Sequence, residues 1–132
     1  MKVERQNLSF QSPMHSNWGG SRAVKVGATI HVAGLMGVKD DGTLVSDVNL
    51  ARQVDAVYAN LKAALAEFGA SLSNVVSETV FVTDIEQPYV MELVGRAYAQ
   101  QPSAPARTIC QVDKLLLPNA MIAVSCIATL EA

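Results

Sequence analysis

The segment Met121-Ile122-Ala123-Val124-Ser125-Cys126-Ile127-Ala128 constrains the chain more than any other, because its apolar and polar residues do not alternate. A strand at a wetted sheet face reads as apolar-in, polar-out with a period of two. One without that alternation is covered on both sides. The sheet that holds it therefore needs material on each face.

The rest of the chain supplies cover for one face only. Ala23 to Val26 and Thr29 to Ala33 are short β-prone runs separated by Gly27-Ala28, which predicts a tight hairpin, and Asp40-Asp41-Gly42 predicts the next turn. From Asp47 the period changes. Leu50, Val54, Val57, Leu61, Leu65 and Phe68 recur at three- and four-residue steps, an apolar stripe along a helix that Gly69 ends. Val75 to Val82 is rich in β-branched residues and predicts a strand, with Thr83-Asp84 as a helix start signal and Pro88 in the first turn of a second helix. That helix carries Val90, Leu93 or Val94, Ala97 and Tyr98, and Pro102 and Pro105 end it. Ala106 to Val112 and Met121 to Leu130 supply the last strands, with Leu117-Pro118-Asn119 as the turn between them. The predicted order is ββ-α-β-α-ββ, an α+β domain with two helices on one face of a mixed sheet. A second subunit is the economical cover for the other face.

Composition agrees with a hidden surface. The 132 residues read as a single domain, 1–132, half of them hydrophobic and only 17% charged. A net charge of −2 with no Lys/Arg stripe argues against an electrostatically driven nucleic-acid partner. The longest uninterrupted apolar run, Ala120 to Val124, is far below the roughly 18 residues of a membrane span, and the polar start lacks a signal-peptide core. A cytoplasmic location is expected, without membrane partners. Cys110 and Cys126 are too few for a disulfide framework, and His15 and His31 have no ligand-spaced neighbours, so no metal site is expected.

Few residues carry chemistry. Ser16, Ser21 and Ser46 lack a nucleophile-elbow context, and no phosphate loop or dinucleotide fingerprint occurs. Arg107 stands out between Pro105-Ala106 and a strand, at the mouth of a sheet, where a guanidinium fork suits bidentate capture of a carboxylate. The competing assignment is a surface ion pair with Glu92 or Asp113. Glu92 is by the same token either a solvated helix carboxylate or an acid/base, and Cys110 either an inert strand thiol or a nucleophile.

Three ordered segments resemble the Rid family, the YjgF-like reactive intermediate deaminases also known as L-PSP endoribonucleases. They are Ser21-Arg22-Ala23-Val24-Lys25-Val26-Gly27 with Val32-Ala33-Gly34, then Val80-Phe81-Val82-Thr83-Asp84, and then Pro105-Ala106-Arg107-Thr108 followed by Leu117-Pro118. The resemblance implies a ferredoxin-like or chorismate-mutase-like fold, a homotrimer whose sheets line a central β-barrel, and clefts between subunits. It implies that Arg107 binds the carboxylate of a small ligand, and that a 2-imino or 2-enamino acid is hydrolysed to a 2-oxo acid and ammonia without metal or organic cofactor.

Several positions depart from the family pattern. Gly20 stands at the usual Tyr with Trp18 nearby, Ala33-Gly34 at Ser-Gly, Glu92 at Asn, Ile109 at Cys, and Ser125 at the Glu that holds the attacking water. The implied site is Arg107, Trp18, Gly34 and Ile109 for binding, with Glu92 and Ser125 as the catalytic candidates. The alternatives are a non-catalytic small-molecule binder or a chaperone-like protein, with ribonuclease or translation inhibitor behind them. On this reading Arg107→Ala removes ligand binding and barely moves the melting temperature.

Overall fold

The structure is a computed structural model that describes residues 3–10 and 18–131. Its strands are β1 (Arg5–Leu8), β2 (Ala23–Val26), β3 (Thr29–Met36), β4 (Val75–Val82), β5 (Ala106–Gln111) and β6 (Ile122–Thr129), with helices α1 (Leu50–Ala66) and α2 (Val90–Arg96). The strands form one sheet in the order β1-β2-β3-β6-β4-β5, antiparallel except for the β4–β5 pair. This is an α+β fold with one mixed sheet and two helices.

The hairpin forms as the sequence predicts, closing at Val26 and Thr29 with Gly27 at φ 59°. β1 was not expected. Its Arg5-Gln6-Asn7 is polar and exposed, so no apolar pattern marks it, and it is held at the sheet edge by main-chain pairing to β2. In β3 the register slips between Val32, opposite Cys126, and Leu35, opposite Val124. The bulge carries Ala33 and Gly34, and it bends the strand where it meets a cavity described below.

α1 is capped by Asn49, whose side chain accepts from Arg52 N–H at 3.0 Å. At its other end Gly69, at φ 75°, donates to Ala66 while Ala70 donates to Leu65, the paired bonds of a Schellman motif. The buried face is Leu50, Val54, Val57, Leu61 and Leu65, as the spacing predicts, but Gln53 and Tyr58 are buried too. Gln53 is fully enclosed. It donates to Ser46 O and Asn119 O and accepts from Met121 N–H, so it ties the helix to the two loops beside it.

α2 is shorter than the pattern suggested. Tyr89 takes a left-handed φ of 72° at the N-cap, so Pro88 precedes the helix instead of entering its first turn. The expected helix start at Asp84 is only a local turn, in which its carboxylate accepts from Glu86 N–H. Val90, Val94 and Tyr98 still reach the core with the face of α1 and the sheet residues Ile30, Val80, Ile122 and Val124.

β6 is covered on its helix side through Ile122, Val124, Cys126 and Ala128. On the other side, among the described residues, a hydrophobic cluster shelters one end, where Ala123 packs with Met36, Phe81, Leu115 and Leu117. At the opposite end Ser125 is half-buried and Ile127 is 38% exposed. No helix among the described residues is long and apolar enough to cross a membrane.

Candidate functional site

Arg107 on β5, Glu78 on β4 and Cys126 on β6 lie in one cross-strand row, since Glu78 is the register partner of both others. Side chains in such a row share a face. Here it is the helix-covered face, because Val80 and Val82, two and four residues beyond Glu78, are core residues.

Glu78 is 1% exposed and fully engaged. Its Oε1 accepts from Arg107 Nε at 2.9 Å and from the Tyr58 hydroxyl at 3.1 Å, and its Oε2 accepts from the Tyr98 hydroxyl at 2.6 Å. α1 supplies Tyr58, and Tyr98 follows α2. The two rings meet edge to face at 6.1 Å, and the Arg107 guanidinium lies 5.1 Å from the centre of the Tyr98 ring. A buried carboxylate is tolerated here because one cation and two hydroxyl donors surround it.

The same burial suppresses the ionisation of its neighbours. Desolvation, and then the Glu78 carboxylate that it donates to, push the Tyr98 phenol well above its ordinary value; Tyr58 shifts the same way, also led by desolvation. The Cys126 thiol is pushed up to about 12 by burial and by Glu78. None of the three is an anion near neutrality.

The carboxylate partner of Arg107 is thus neither Glu92 nor Asp113. It is Glu78, a residue without an assigned role in the sequence, although a carboxylate in phase with Val80 and Val82 was a legible signal of a buried charge. Because removing Arg107 strands that charge, the expectation that Arg107→Ala leaves stability unchanged is corrected. The Arg107 side chain remains 21% exposed, and among the described residues its Nη2 has no hydrogen-bond partner.

Ile109 shares the face of Arg107, half-buried against the core. Glu92 is exposed on α2 and pairs with Arg96 at 3.1 Å. Ser125 is the register partner of Thr79 and lies on the opposite face of the sheet from Arg107, in a shallow depression with His31, Ser77 and Thr79. Cys110 also sits one residue out of phase with Arg107, and is half-buried. Trp18 and Gly34 are together elsewhere, in a cavity of about 130 Å³ between β3 and α1 that Arg22, Leu35 and Val38 also line. Three strand spacings separate β3 from β5, about 14 Å across the sheet. One chain therefore holds Arg107 with Ile109, and Trp18 with Gly34, as two separate groups. His15 and Ser16 lie outside the described residues; among those described, no group of three or more His, Cys, Asp and Glu is placed to hold a metal ion.

A mixed sheet backed by two helices, with an arginine on its parallel edge pair, defines an α+β domain of the YjgF type. The chain belongs to that family: the profile of Endoribonuclease L-PSP matches residues 14–130. It is 36% identical over 95 residues to a RutC family protein of Pyrococcus abyssi, covering 72% of this chain and 74% of that one. It is 30% identical over 105 residues to the RutC family protein YjgH of Escherichia coli, covering 76% and 78%. Among solved structures, a member of the YjgF/YER057c/UK114 family from Mycobacterium tuberculosis superposes with a TM-score of 0.78 at 29% identity, over 96% of this chain and all of that one. RidA from an Antarctic Psychrobacter gives 0.77 at 25% identity, over 94% and 98%.

Proposed function

We propose that this chain binds a small carboxylate-bearing ligand, a 2-oxo, 2-imino or 2-enamino acid, through Arg107 in a cleft completed by a second copy of the chain. The supporting observation is the state of the guanidinium. Its Nε is held by Glu78, its Nη2 is enclosed and without a hydrogen-bond partner among the described residues, and part of the remaining side chain is exposed. A guanidinium fixed at Nε is pre-organised to present its exposed part to a carboxylate.

The separation of the two residue groups supports the shared cleft. Trp18 and Gly34 cannot meet Arg107 within one chain, but symmetric association brings the β3 side of one copy to the β5 edge of another. A homotrimer around a central barrel, with the Ser125–Ile127 side of the sheet turned inward, also gives the open face its cover. A cytoplasmic location belongs to the same reading.

The reaction that goes with this ligand is hydrolysis: water adds to the imine carbon, the C–N bond breaks, and a 2-oxo acid and ammonia leave. An imine carbon is already electrophilic, so a held carboxylate, a positioned water and a proton path suffice. Within one chain neither Glu92 nor Ser125 is beside Arg107, and Glu78 has both oxygens engaged. That arrangement favours, as the second reading, a binder that does not turn its ligand over.

The test is twofold. Calorimetric titration with 2-oxobutyrate is expected to show binding that Arg107→Gln removes; retention in that variant overturns the reading. 2-Aminoacrylate generated in situ from serine by a dehydratase then separates enzyme from binder. Pyruvate released faster than in the uncatalysed control, and lost in Arg107→Gln, marks the enzyme.

A further inference from the structure

We infer that Arg22 is a second anion anchor in the cleft just described, and that the ligand it selects is a 2-oxo or 2-imino dicarboxylate; the inference rests on that reading for the meeting of the two chains. Arg22 lines the cavity between β3 and α1 together with Trp18, Gly34, Leu35 and Val38. Its Nε is closed off from solvent and, among the described residues, has no hydrogen-bond partner. No carboxylate of a described residue forms an ion pair with it. A half-buried guanidinium without an ion-pair partner is costly to hold, and an anion in the cavity it lines would offset that cost.

The surroundings narrow the acceptor. Lys39, Asp40 and Glu67 line the same cavity as exposed charges, whereas Arg22 is half-buried, with its Nε enclosed. Trp18, Leu35 and Val38 offer apolar wall for a short methylene chain. About 130 Å³ is close to the size of a cavity that accepts a benzene ring. That is room for the distal half of a small diacid, with its first carboxylate on Arg107 of the neighbouring copy. A monoacid of equal length would place a methyl group beside the Arg22 guanidinium, and sites built to hydrogen-bond a group discriminate against analogues lacking it.

The chain has one tryptophan, Trp18, so intrinsic fluorescence reports occupancy of this cavity. Titrations compare 2-oxoglutarate with 2-oxopentanoate, which has the same number of carbons and a methyl in place of the second carboxylate. The native protein is expected to prefer 2-oxoglutarate at least tenfold. Arg22→Gln should abolish the preference while leaving 2-oxopentanoate within twofold, and Arg22→Lys, which keeps charge without the fork, should retain part of it. Equal affinity for both acids in the native protein, or a preference that persists in a folded Arg22→Gln, overturns the inference. Arg107→Gln tests the underlying reading separately, since it should weaken both acids alike.

Discussion

Glu78 and Arg107 face each other across the parallel β4–β5 pair with Oε1 and Nε 2.9 Å apart, and one of the two is wholly buried while the other reaches the surface. The asymmetry divides one arginine between core and surface. Its Nε satisfies a carboxylate that the core could not otherwise hold, while part of its side chain stays open to solvent.

Breaking that pair from either side is expected to be expensive. Arg107→Ala leaves Glu78 charged and enclosed, and Glu78→Ala leaves the guanidinium uncompensated; each should cost about 3–5 kcal/mol. Urea unfolding of the two single variants and of Glu78→Leu/Arg107→Met checks this. The double variant should be more stable than either single one, because matched apolar groups replace the ions together. Additive losses would mean that the two residues are not coupled.

High pH should destabilise the fold. Cys126 ionises at about 12 in the native state, and Tyr58 and Tyr98 are raised above their ordinary values. An unfolded thiol ionises near 8.5 and a phenol near 10, so in alkali the unfolded chain binds fewer protons than the native one. Their contribution is complete below about pH 8.5 and is lost as pH rises through the native values. Denaturation midpoints should fall steadily from pH 9 to 11, and less steeply in Cys126→Ala; a flat profile would contradict the buried network.

Gly37 should not accept a side chain. A Cβ there would lie 2.6 Å from the Gln53 carbonyl oxygen and 2.8 Å from its Cα, backbone atoms that cannot swing away. Gly37→Ala is expected to cost about 1–3 kcal/mol by pushing β3 from α1. Gly34→Ala, whose Cβ meets nothing within 4 Å, should stay within about 0.5 kcal/mol. Thermal melts of the two variants make the comparison.

Association is measurable directly. The proposed trimer of 14.0 kDa chains is expected to sediment as a particle of about 42 kDa at micromolar concentration. A stable single chain would remove the shared cleft, and with it the meeting of Arg107 with Trp18 and Gly34.

The sequence by itself determined most of the elements. The stripe of α1, the Gly27-Ala28 hairpin, the strand at Val75–Val82 and the need for cover over β6 all follow from short-range periodicity and turn chemistry, which neighbouring residues carry. It also singled out Arg107, an arginine between Pro105-Ala106 and a strand in a charge-poor chain, while leaving open whether it captured a carboxylate or made an ion pair. Only the tertiary structure decided what Arg107 does with its charge. Glu78 on β4, Tyr58 on α1 and Tyr98 just after α2 come from separate parts of the chain, and their convergence depends on strand order and helix packing that no local pattern encodes. Strand phase also set Ser125 on the far face of the sheet from Arg107. β1 escaped for the opposite reason. Its pairing is made by main-chain groups at an edge, which every residue possesses, so its side chains had nothing to announce.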